Sequence, residues 1–217
     1  MSATVWSIVV AAGSGTRFGR AKQYERLGDR RVLDWALAAA RAVSEGVVLV
    51  VPPDSAGRRE AGADAVVPGG STRSESVRAG LAAVPGEADV VVVHDAARPL
   101  ASVALFEAVV AAVSGEGGAD CAIPGVAVAN TVKRVRGSAV VETVDRVDLV
   151  EVQTPQGFSA AALRAAHADA PDATDDAALV ESAGGRVVVV PGEPVNLKLT
   201  HPEDLLVLRA LIEREPS

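Results

Sequence analysis

The chain has 217 residues, with 21 lysines and arginines against 28 aspartates and glutamates, and therefore a formal net charge of −7 at pH 7. An acidic chain of this length is expected to form one domain that buries roughly 70% of its unfolded surface, and its charge excludes an extended nucleic-acid surface. The only cysteine, Cys121, excludes an intrachain disulfide, and no Cys/His spacing indicates zinc. The opening MSATVWSIVV lacks a basic region and no apolar run approaches the ~18 residues of a membrane span, so a cytoplasmic protein is expected.

Short valine-rich runs alternate with alanine-rich amphipathic stretches along the chain. The runs predict strands at 5–11, 47–51, 64–67, 89–94, 119–123, 150–153 and 186–190. The amphipathic stretches predict helices at 31–44, 73–84, 102–113, 159–168, 175–183 and 202–213, with capping-box spacing in the pairs Thr72/Glu75 and Thr200/Glu203. Because this alternation is typical of βαβ units, we expect an α/β fold with a mainly parallel sheet flanked by helices.

Residues 130–146, NTVKRVRGSAVVETVDR, interrupt this alternation. They predict two strands joined at Gly137-Ser138, a hairpin turn with glycine first. A two-stranded ribbon is rarely stable alone in water. We therefore expect a protruding β-hairpin arm over 126–148 that packs on a second copy of the chain, within a single domain spanning 1–217.

A glycine-rich loop follows the first predicted strand, in the stretch VVAAGSGTRFGRAKQ at 9–23. A dinucleotide fingerprint started at Gly13 needs its third glycine where the chain has Phe18, and neither Gly13 nor Gly15 has the glycine five residues later that a P-loop needs. The loop can still bring backbone N–H groups close to an anion, beside the cations Arg17 and Lys22. The sequence therefore predicts a triphosphate site that uses neither standard cradle.

Polar segments follow several other strands: PGGSTRSES, HDAARP, TPQGF and VNLKLTHPEDL. Ligands of open parallel sheets bind outside the carboxyl ends of the strands, so these segments are expected around one site. Taken singly, each segment is also explained by helix capping, turn formation or a solvated cation. His94, His167 and His201 have no partner pattern, and none of them is expected to be catalytic.

Taken together, AAGSGTRFGRAKQY, GGSTRSESV, HDAARP, TVDR, TPQGF, ATDDAALVE and NLKLTHPEDL resemble, in this order, the 2-C-methyl-D-erythritol 4-phosphate cytidylyltransferases of the non-mevalonate isoprenoid pathway. The resemblance covers about residues 5–213. It implies a Rossmann-like fold of the nucleotidyltransferase type and transfer of a cytidylyl group from CTP to methylerythritol phosphate, with release of pyrophosphate. The chain departs from the usual pattern at Ala21, where a proline is common, and in a shorter loop between Arg17 and Lys22.

The resemblance also implies roles for the residues that match its motifs. The catalytic cations would be Arg17, Lys22 and Lys198, which suits a reaction that needs positive charge on the reacting phosphates and no general base. The nucleotide would be bound by Ala11, Ala12, Gly13, Ser14, Gly15, Gly70, Ser76, Asp95 and Ala96. The polyol phosphate would be bound by Asp95, Arg98, Thr131, Arg146, Thr154 and Thr174.

The expected partners are CTP, a polyol phosphate and a second copy of the chain, which would share the substrate site through the arm. Mg²⁺ is the expected cofactor, held mainly by CTP phosphates and water, so no protein residue is expected to ligate it. Two alternatives stay open: a cytidylyltransferase acting on ribitol 5-phosphate, and a nucleotide-sensing protein of the same fold without catalysis. A nicotinamide-dependent dehydrogenase is disfavoured by the missing third glycine.

Overall fold

The computed structural model describes residues 3–13, 15, 18–115, 117–169, 172–173 and 175–213. Three predicted site residues, Ser14, Arg17 and Thr174, lie outside these ranges. The strands are β1 (Val5–Val10), β2 (Arg26–Leu27), β3 (Arg30–Arg31), β4 (Gly46–Val51), β5 (Ala65–Pro68), β6 (Val90–Asp95), β7 (Cys121–Ala127), β8 (Val132–Arg136), β9 (Ala139–Val144), β10 (Val150–Val152), β11 (Gln156–Ser159) and β12 (Val187–Pro191). The helices are α1 (Val32–Val43), α2 (Arg73–Ala82), α3 (Val103–Val113), α4 (Ala160–Ala166), α5 (Asp176–Ser182) and α6 (Asp204–Ile212), and 3-10 turns cover Lys22–Tyr24 and Pro53–Ser55.

Eight strands form one mainly parallel sheet in the order β10-β7-β11-β6-β1-β4-β5, with β12 paired to β7. At its centre, β1 runs parallel to β4 on one side and to β6 on the other. Every residue of β4 and β6 is buried, as expected for valine runs covered on both faces. The predicted α/β class is therefore confirmed.

Helices cover both faces of the sheet, as predicted. One buried apolar cluster joins α1 and α3 to the sheet, and a second joins α2, α4 and α5 to the opposite face. A third cluster packs Leu205 and Leu208 of α6 against Phe18, Leu27 and other apolar residues next to the glycine-rich loop. None of the helices in the described ranges is long and apolar enough to cross a membrane.

Two predicted details are corrected. The strand expected at 150–153 belongs to the sheet, but it pairs antiparallel with β7. The capping box expected at Thr200 and Glu203 is absent, because the Asp204 carboxylate accepts the backbone N–H groups of Thr200 and His201, each at 2.7 Å. The other predicted box is confirmed, with Glu75 N donating to Thr72 Oγ1 at 3.2 Å.

One strand of the sheet was not predicted. β11 lies antiparallel between β6 and β7, with Gln156 opposite Val93. Gly157 lets α3 pack closely, because a Cβ there would lie 2.7 Å from the carbonyl oxygen of Val109. The TPQGF segment therefore reaches the carboxyl end of β6 by running in the opposite direction to that strand.

The predicted hairpin is present as a separate two-stranded sheet. β8 and β9 pair antiparallel across a turn at Gly137, whose φ is +60°. All residues of the two strands are exposed except Val132 and Val144, which are half-buried. Packing of this hairpin on a second copy stays a prediction.

Candidate functional site

A cavity of about 440 Å³ opens at the carboxyl ends of β1 and β6. The chain leaves β1 toward β4 and β5 and later returns to β6 on the other side of β1, so the strand order reverses between β1 and β6. Open α/β sheets bind ligands at such a reversal. The cavity is lined by Val10, Ala11, Ala12, Gly13, Gly15, Phe18, Lys22, Gln23, Gly70, Ser71, Thr72, Arg73, Ser76, Asp95, Ala96, Ala97, Lys198 and Thr200.

The glycine-rich loop forms one wall of the cavity. Ala11 N continues the sheet by donating to Val50 O at 2.7 Å. The chain then turns at Gly15, whose carbonyl accepts the N–H groups of Phe18 and Gly19 at 2.9 and 2.8 Å. Gly15 has φ +64°, and a Cβ there would lie 2.1 Å from the carbonyl oxygen of Arg20. This turn therefore requires glycine both for its backbone angle and for space.

Lys22 is held at the cavity by the segment that carries Lys198. Its Nζ donates to the carbonyl oxygen of Leu199 at 2.6 Å. The next residue, Gln23, is buried and donates from Nε2 to Ala11 O at 3.0 Å, which ties the lysine to the glycine-rich loop. Ala21, which precedes the lysine, has φ −71°, within the range that proline takes. Ala21 therefore keeps a backbone angle that a proline at this position could also adopt.

Asp95, at the end of β6, carries one cation on each carboxylate oxygen. Lys198 Nζ lies 2.5 Å from Oδ2, and Arg73 Nε lies 3.5 Å from Oδ1. Burial alone would raise the pKa of Asp95, but the charges of Lys198 and Arg73 outweigh it and hold the pKa well below its usual range. The carboxylate is therefore ionised at neutral pH, and it presents acceptor oxygens at the cavity.

Buried hydrogen bonds that involve Thr154 and His94 hold the backbone at Asp95 in place. Thr154 Oγ1 accepts the backbone N–H of Asp95 at 3.0 Å, so its own hydrogen is available to Nδ1 of His94, 3.1 Å away. The other ring nitrogen, Nε2, then donates to the carbonyl oxygen of Arg98 at 3.1 Å. Burial lowers the pKa of His94 to about 4, so the ring is neutral at pH 7.

Most of the predicted nucleotide-binding and catalytic residues meet at this one cavity: Ala11, Ala12, Gly13, Gly15, Lys22, Gly70, Ser76, Asp95, Ala96 and Lys198. Four predicted polyol-binding residues do not line it. Thr154 is buried behind Asp95, and Arg98 donates from Nη1 to Asn196 O at 2.7 Å. Thr131 and Arg146 are exposed beside the hairpin, where Arg146 Nη1 donates to Ala129 O.

The cavity includes residues that the sequence did not single out. Arg73 adds a third cation, and Gln23 links two parts of the wall. Both positions carried a signal, because Arg73 lies three residues after a strand-end glycine pair and Gln23 adjoins the predicted Lys22. Arg73 was instead assigned to the helix start that Thr72 caps.

The lining combines cations with a wall of small residues. Lys22, Arg73 and Lys198 supply three positive charges against the single carboxylate of Asp95, so the described part of the lining favours an anionic ligand. Within the described residues, no group of three or more His, Cys, Asp or Glu side chains is placed to hold a metal ion. The arrangement suits phosphate binding beside a flat group that reaches the main chain of Ala11 to Gly13.

Known proteins are similar to this chain in both sequence and fold. A family model described as 2-C-methyl-D-erythritol 4-phosphate cytidylyltransferase matches residues 5–214. A protein of that name from Streptomyces coelicolor is 45% identical over 96% of this chain and 84% of its own length. The crystal structure of 2-C-methyl-D-erythritol 4-phosphate cytidylyltransferase from Thermus thermophilus matches with a TM-score of 0.82 at 35% identity, covering 95% of this chain and 98% of that chain.

Some relatives are longer. The bifunctional enzyme IspD/IspF of Clavibacter michiganensis is 46% identical over 96% of this chain, which spans only 54% of that enzyme's length. The family match nonetheless covers nearly every described residue, including each segment that lines the cavity. The chain therefore belongs to the 2-C-methyl-D-erythritol 4-phosphate cytidylyltransferase family.

Proposed function

We propose that this chain transfers a cytidylyl group from CTP to 2-C-methyl-D-erythritol 4-phosphate and releases pyrophosphate, the activity for which its family is named. The main support from the structure is the cavity between β1 and β6, where Lys22, Arg73 and Lys198 face the small residues of the glycine-rich loop. Isoprenoid precursor synthesis is the pathway that this activity serves.

In this reaction, a phosphate oxygen of the acceptor attacks the α-phosphorus of CTP. The new P–O bond forms as the bond between the α-phosphorus and its bridging oxygen breaks, and pyrophosphate leaves with the electron pair. The attacking phosphate is already an anion near pH 7, so no side chain has to remove its proton. Lys22 and Lys198 supply positive charge to the crowded α-phosphate, and Arg17 is proposed to act with them.

The nucleotide is proposed to bind with its base against the main chain of Ala11, Ala12 and Gly13. Among the described residues other than its chain neighbours, no atom lies within 4 Å of a Cβ built on Gly13, which leaves room for a flat ring on that side. On the facing segment, Ser76 Oγ accepts Gly70 N at 3.2 Å and donates to Thr72 O at 2.9 Å, which fixes that segment. Ser14, Gly15 and Ala96 complete this proposed subsite.

Magnesium is proposed to arrive with CTP. Asp95 is the one carboxylate in the described lining, and both of its oxygens already face cations. This donor set fits an octahedral ion held by phosphate oxygens and water, with no dedicated protein cage. When bound, the ion supplies further positive charge to the triphosphate.

A second copy of the chain is proposed to cover the hairpin arm at 126–148 of the single 1–217 domain. Val135, Val140 and Val141 on the hairpin are 58%, 60% and 52% exposed, and Val147 beside it is 83% exposed. Val135 and Val140 lie opposite each other across the hairpin, and adjacent exposed apolar side chains are typical of a surface that another chain covers. The homodimer would bring Thr131 and Arg146 of one protomer to the substrate phosphate in its partner's cavity, where the Arg98 that follows β6 of that partner would lie nearby. Thr154 and Thr174 are proposed to line the same acceptor pocket, and the cytoplasmic location stays a prediction.

The test is a pyrophosphate-release assay with CTP, UTP, ATP and GTP, each with methylerythritol phosphate, with ribitol 5-phosphate or with no acceptor. We expect release only with CTP and methylerythritol phosphate. Release with ribitol 5-phosphate instead would assign the other acceptor. Binding of CTP without release under any condition would leave the nucleotide-sensing alternative and refute catalysis.

A further inference from the structure

A series of charged contacts runs from the cavity into the protein interior. Arg73, the first residue of α2, lies between Asp95 and Asp176, with Nε 3.5 Å from Asp95 Oδ1 and Nη1 2.5 Å from Asp176 Oδ2. Asp176, the first residue of α5, has 0% exposure, and its Oδ1 lies 3.0 Å from Nε2 of the buried His167. These side chains connect the end of β6 with the starts of α2 and α5 and the end of α4.

Asp176 has no place in the cavity lining, so its effect on the site passes through Arg73. A fully buried carboxylate is costly unless it is paired, and here both oxygens have partners. The Arg73 side chain is long enough to adopt other orientations, including ones that face an incoming phosphate. The ion pair with Asp176 holds its guanidinium beside Asp95 instead.

The cation on the opposite side of Asp95 is more exposed to solvent. Lys198, which holds Oδ2, has a side chain that is 40% exposed, whereas the Arg73 side chain is 22% exposed. The more buried partner is the one that Asp176 anchors. The Asp95 carboxylate is therefore held on one oxygen by a hydrogen bond from the more exposed Lys198, and on the other by the charge of an arginine that Asp176 anchors.

We propose that Asp176 is a positioning residue for the acceptor: through Arg73, it holds the Asp95 carboxylate in the orientation that receives the hydroxyl groups of the polyol phosphate. His167 in turn holds Asp176 by donating from Nε2. This inference rests on the proposed function. It assigns part of the acceptor affinity to residues that do not touch the acceptor.

A purely structural ion pair would have a different kinetic signature. Loss of such a pair would lower the fraction of folded enzyme, which reduces the apparent kcat and the melting temperature and leaves KM unchanged. Loss of a positioning pair raises KM for the polyol phosphate, because each folded molecule binds it less well. KM for CTP separates acceptor binding from a general distortion of the cavity.

The first experiment compares steady-state kinetics of Asp176→Asn and the wild-type chain. We expect KM for methylerythritol phosphate to rise about tenfold and KM for CTP to stay within about twofold. The control is Glu181→Gln, which removes the same charge from an exposed position on the same helix and is expected to leave both constants unchanged. An unchanged acceptor KM in Asp176→Asn, or an equal rise in both constants, would overturn the proposal.

A double-mutant cycle with Arg73→Met tests the route of the effect. If Asp176 acts through Arg73, Asp176→Asn raises the acceptor KM in the wild-type background but adds nothing in the Arg73→Met background. Independent effects that multiply in the double variant would contradict the proposal.

His167→Leu provides a second probe if Asp176→Asn accumulates poorly, because it leaves the Arg73–Asp176 pair in place. We expect a rise of about threefold in the acceptor KM, with restoration by His167→Gln, whose amide can also donate to Asp176. An unchanged acceptor KM in His167→Leu would contradict the proposal that His167 holds Asp176 in position. A wild-type chain without turnover would refute the proposed function and this inference together, whereas an active wild type with unshifted variants would refute the inference alone.

Discussion

Lys22 places one positive charge at the cavity and is bound there by a backbone carbonyl of the C-terminal segment. Its Nζ contacts Leu199 O at 2.6 Å, a residue 177 positions away in the sequence. The lysine therefore depends on the approach of the C-terminal segment and on the Gln23–Ala11 hydrogen bond beside it. Charge held in this way before the substrate arrives costs no reorganisation during reaction.

Replacement of Lys22 by an uncharged residue is expected to slow the reaction and to leave the fold intact. Lys22→Met should lower kcat by two to three decades, corresponding to about 3 kcal/mol of lost transition-state stabilisation. The measurement is pyrophosphate release at saturating substrates, with circular dichroism as the check on folding. Arg58→Met, which removes a cation from an exposed loop, serves as the control. Turnover of Lys22→Met near the wild-type value would refute the role of this lysine.

Gly15 and Gly19 of the glycine-rich loop allow the effect of backbone strain to be distinguished from the effect of steric crowding. Gly15 has φ +64° and no room for a Cβ, whereas Gly19 has φ +85° and, in the part of the chain that the structure describes, no non-neighbouring atom within 4 Å of a built Cβ. Gly19→Ala should therefore cost about 1–2 kcal/mol of stability through its backbone angle alone. Gly15→Ala should cost more and raise KM for CTP, because the turn at the cavity must shift.

Chemical denaturation and CTP kinetics on both variants test this difference. The unchanged CTP affinity expected for Gly19→Ala is the internal control. Equal effects of the two substitutions on KM for CTP would show that the Gly15 turn does not shape the nucleotide subsite.

At the scale of elements, the hairpin of β8 and β9 is almost entirely exposed to solvent in a single chain. If a second copy covers it, the two halves of each substrate site come from different protomers. An Arg146→Ala chain and a Lys22→Met chain are then each impaired as homodimers. A heterodimer of the two has one site with both defects and one site with none.

Co-expression of these two chains tests the shared site. Random pairing makes half of the dimers heterodimers with one intact site each, so about a quarter of wild-type turnover is expected. Each variant expressed alone provides the baseline. Failure of the mixture to exceed that baseline would contradict a site shared through the hairpin.

The elements themselves were largely predictable, because valine runs and amphipathic stretches report burial directly. All six helices and the predicted strands are present, with ends shifted by a few residues. β11 was missed because QGFS has one large apolar residue and owes its strand conformation to pairing between β6 and β7. The direction of β10 was likewise set by its partner and not by its own residues.

The site was predictable where it follows directly from strand ends, and less so where it depends on contacts across the chain. The glycine-rich loop and Asp95 meet because the adjacent parallel strands β1 and β6 end at one edge. Lys198 reaches the same cavity from the segment between β12 and α6, which is not a strand. Arg73 was missed because its partner Asp176 lies 103 residues away, and local sequence shows only a helix start. Residues near the hairpin could not be placed at the cavity, since their proposed site lies on another chain.

At the scale of the whole molecule, stability is expected to depend on pH through His94. Burial lowers the pKa of its folded form to about 4, against about 6.5 when unfolded. Below pH 6.5, the His94 side chain is protonated in the unfolded chain but stays neutral in the folded chain until the pH approaches 4. The free energy of unfolding should therefore be highest above pH 6.5 and fall by on the order of 3 kcal/mol by pH 4.

Urea denaturation between pH 7 and pH 4 measures this fall. His94→Gln should flatten it, because the substituted side chain does not titrate. The exposed His201 provides the control, since His201→Gln should leave the slope intact. Asp95 begins to contribute near its unfolded pKa of about 3.9, at the acid end of this range, and its stabilisation is lost mainly below pH 4, because the pKa of its folded form is held below the usual range. An equal slope in wild type and His94→Gln would contradict the assignment to His94.

The reaction proposed for the cavity forms a new bond between two phosphate groups, and ³¹P NMR of the reaction mixture observes that bond directly. With CTP, methylerythritol phosphate and Mg²⁺, we predict a pair of coupled phosphorus signals from a new pyrophosphate linkage, in amounts equal to the free pyrophosphate released. Hydrolysis of CTP to CMP and pyrophosphate with the acceptor phosphate unchanged, or no change in any phosphorus signal, would contradict the account.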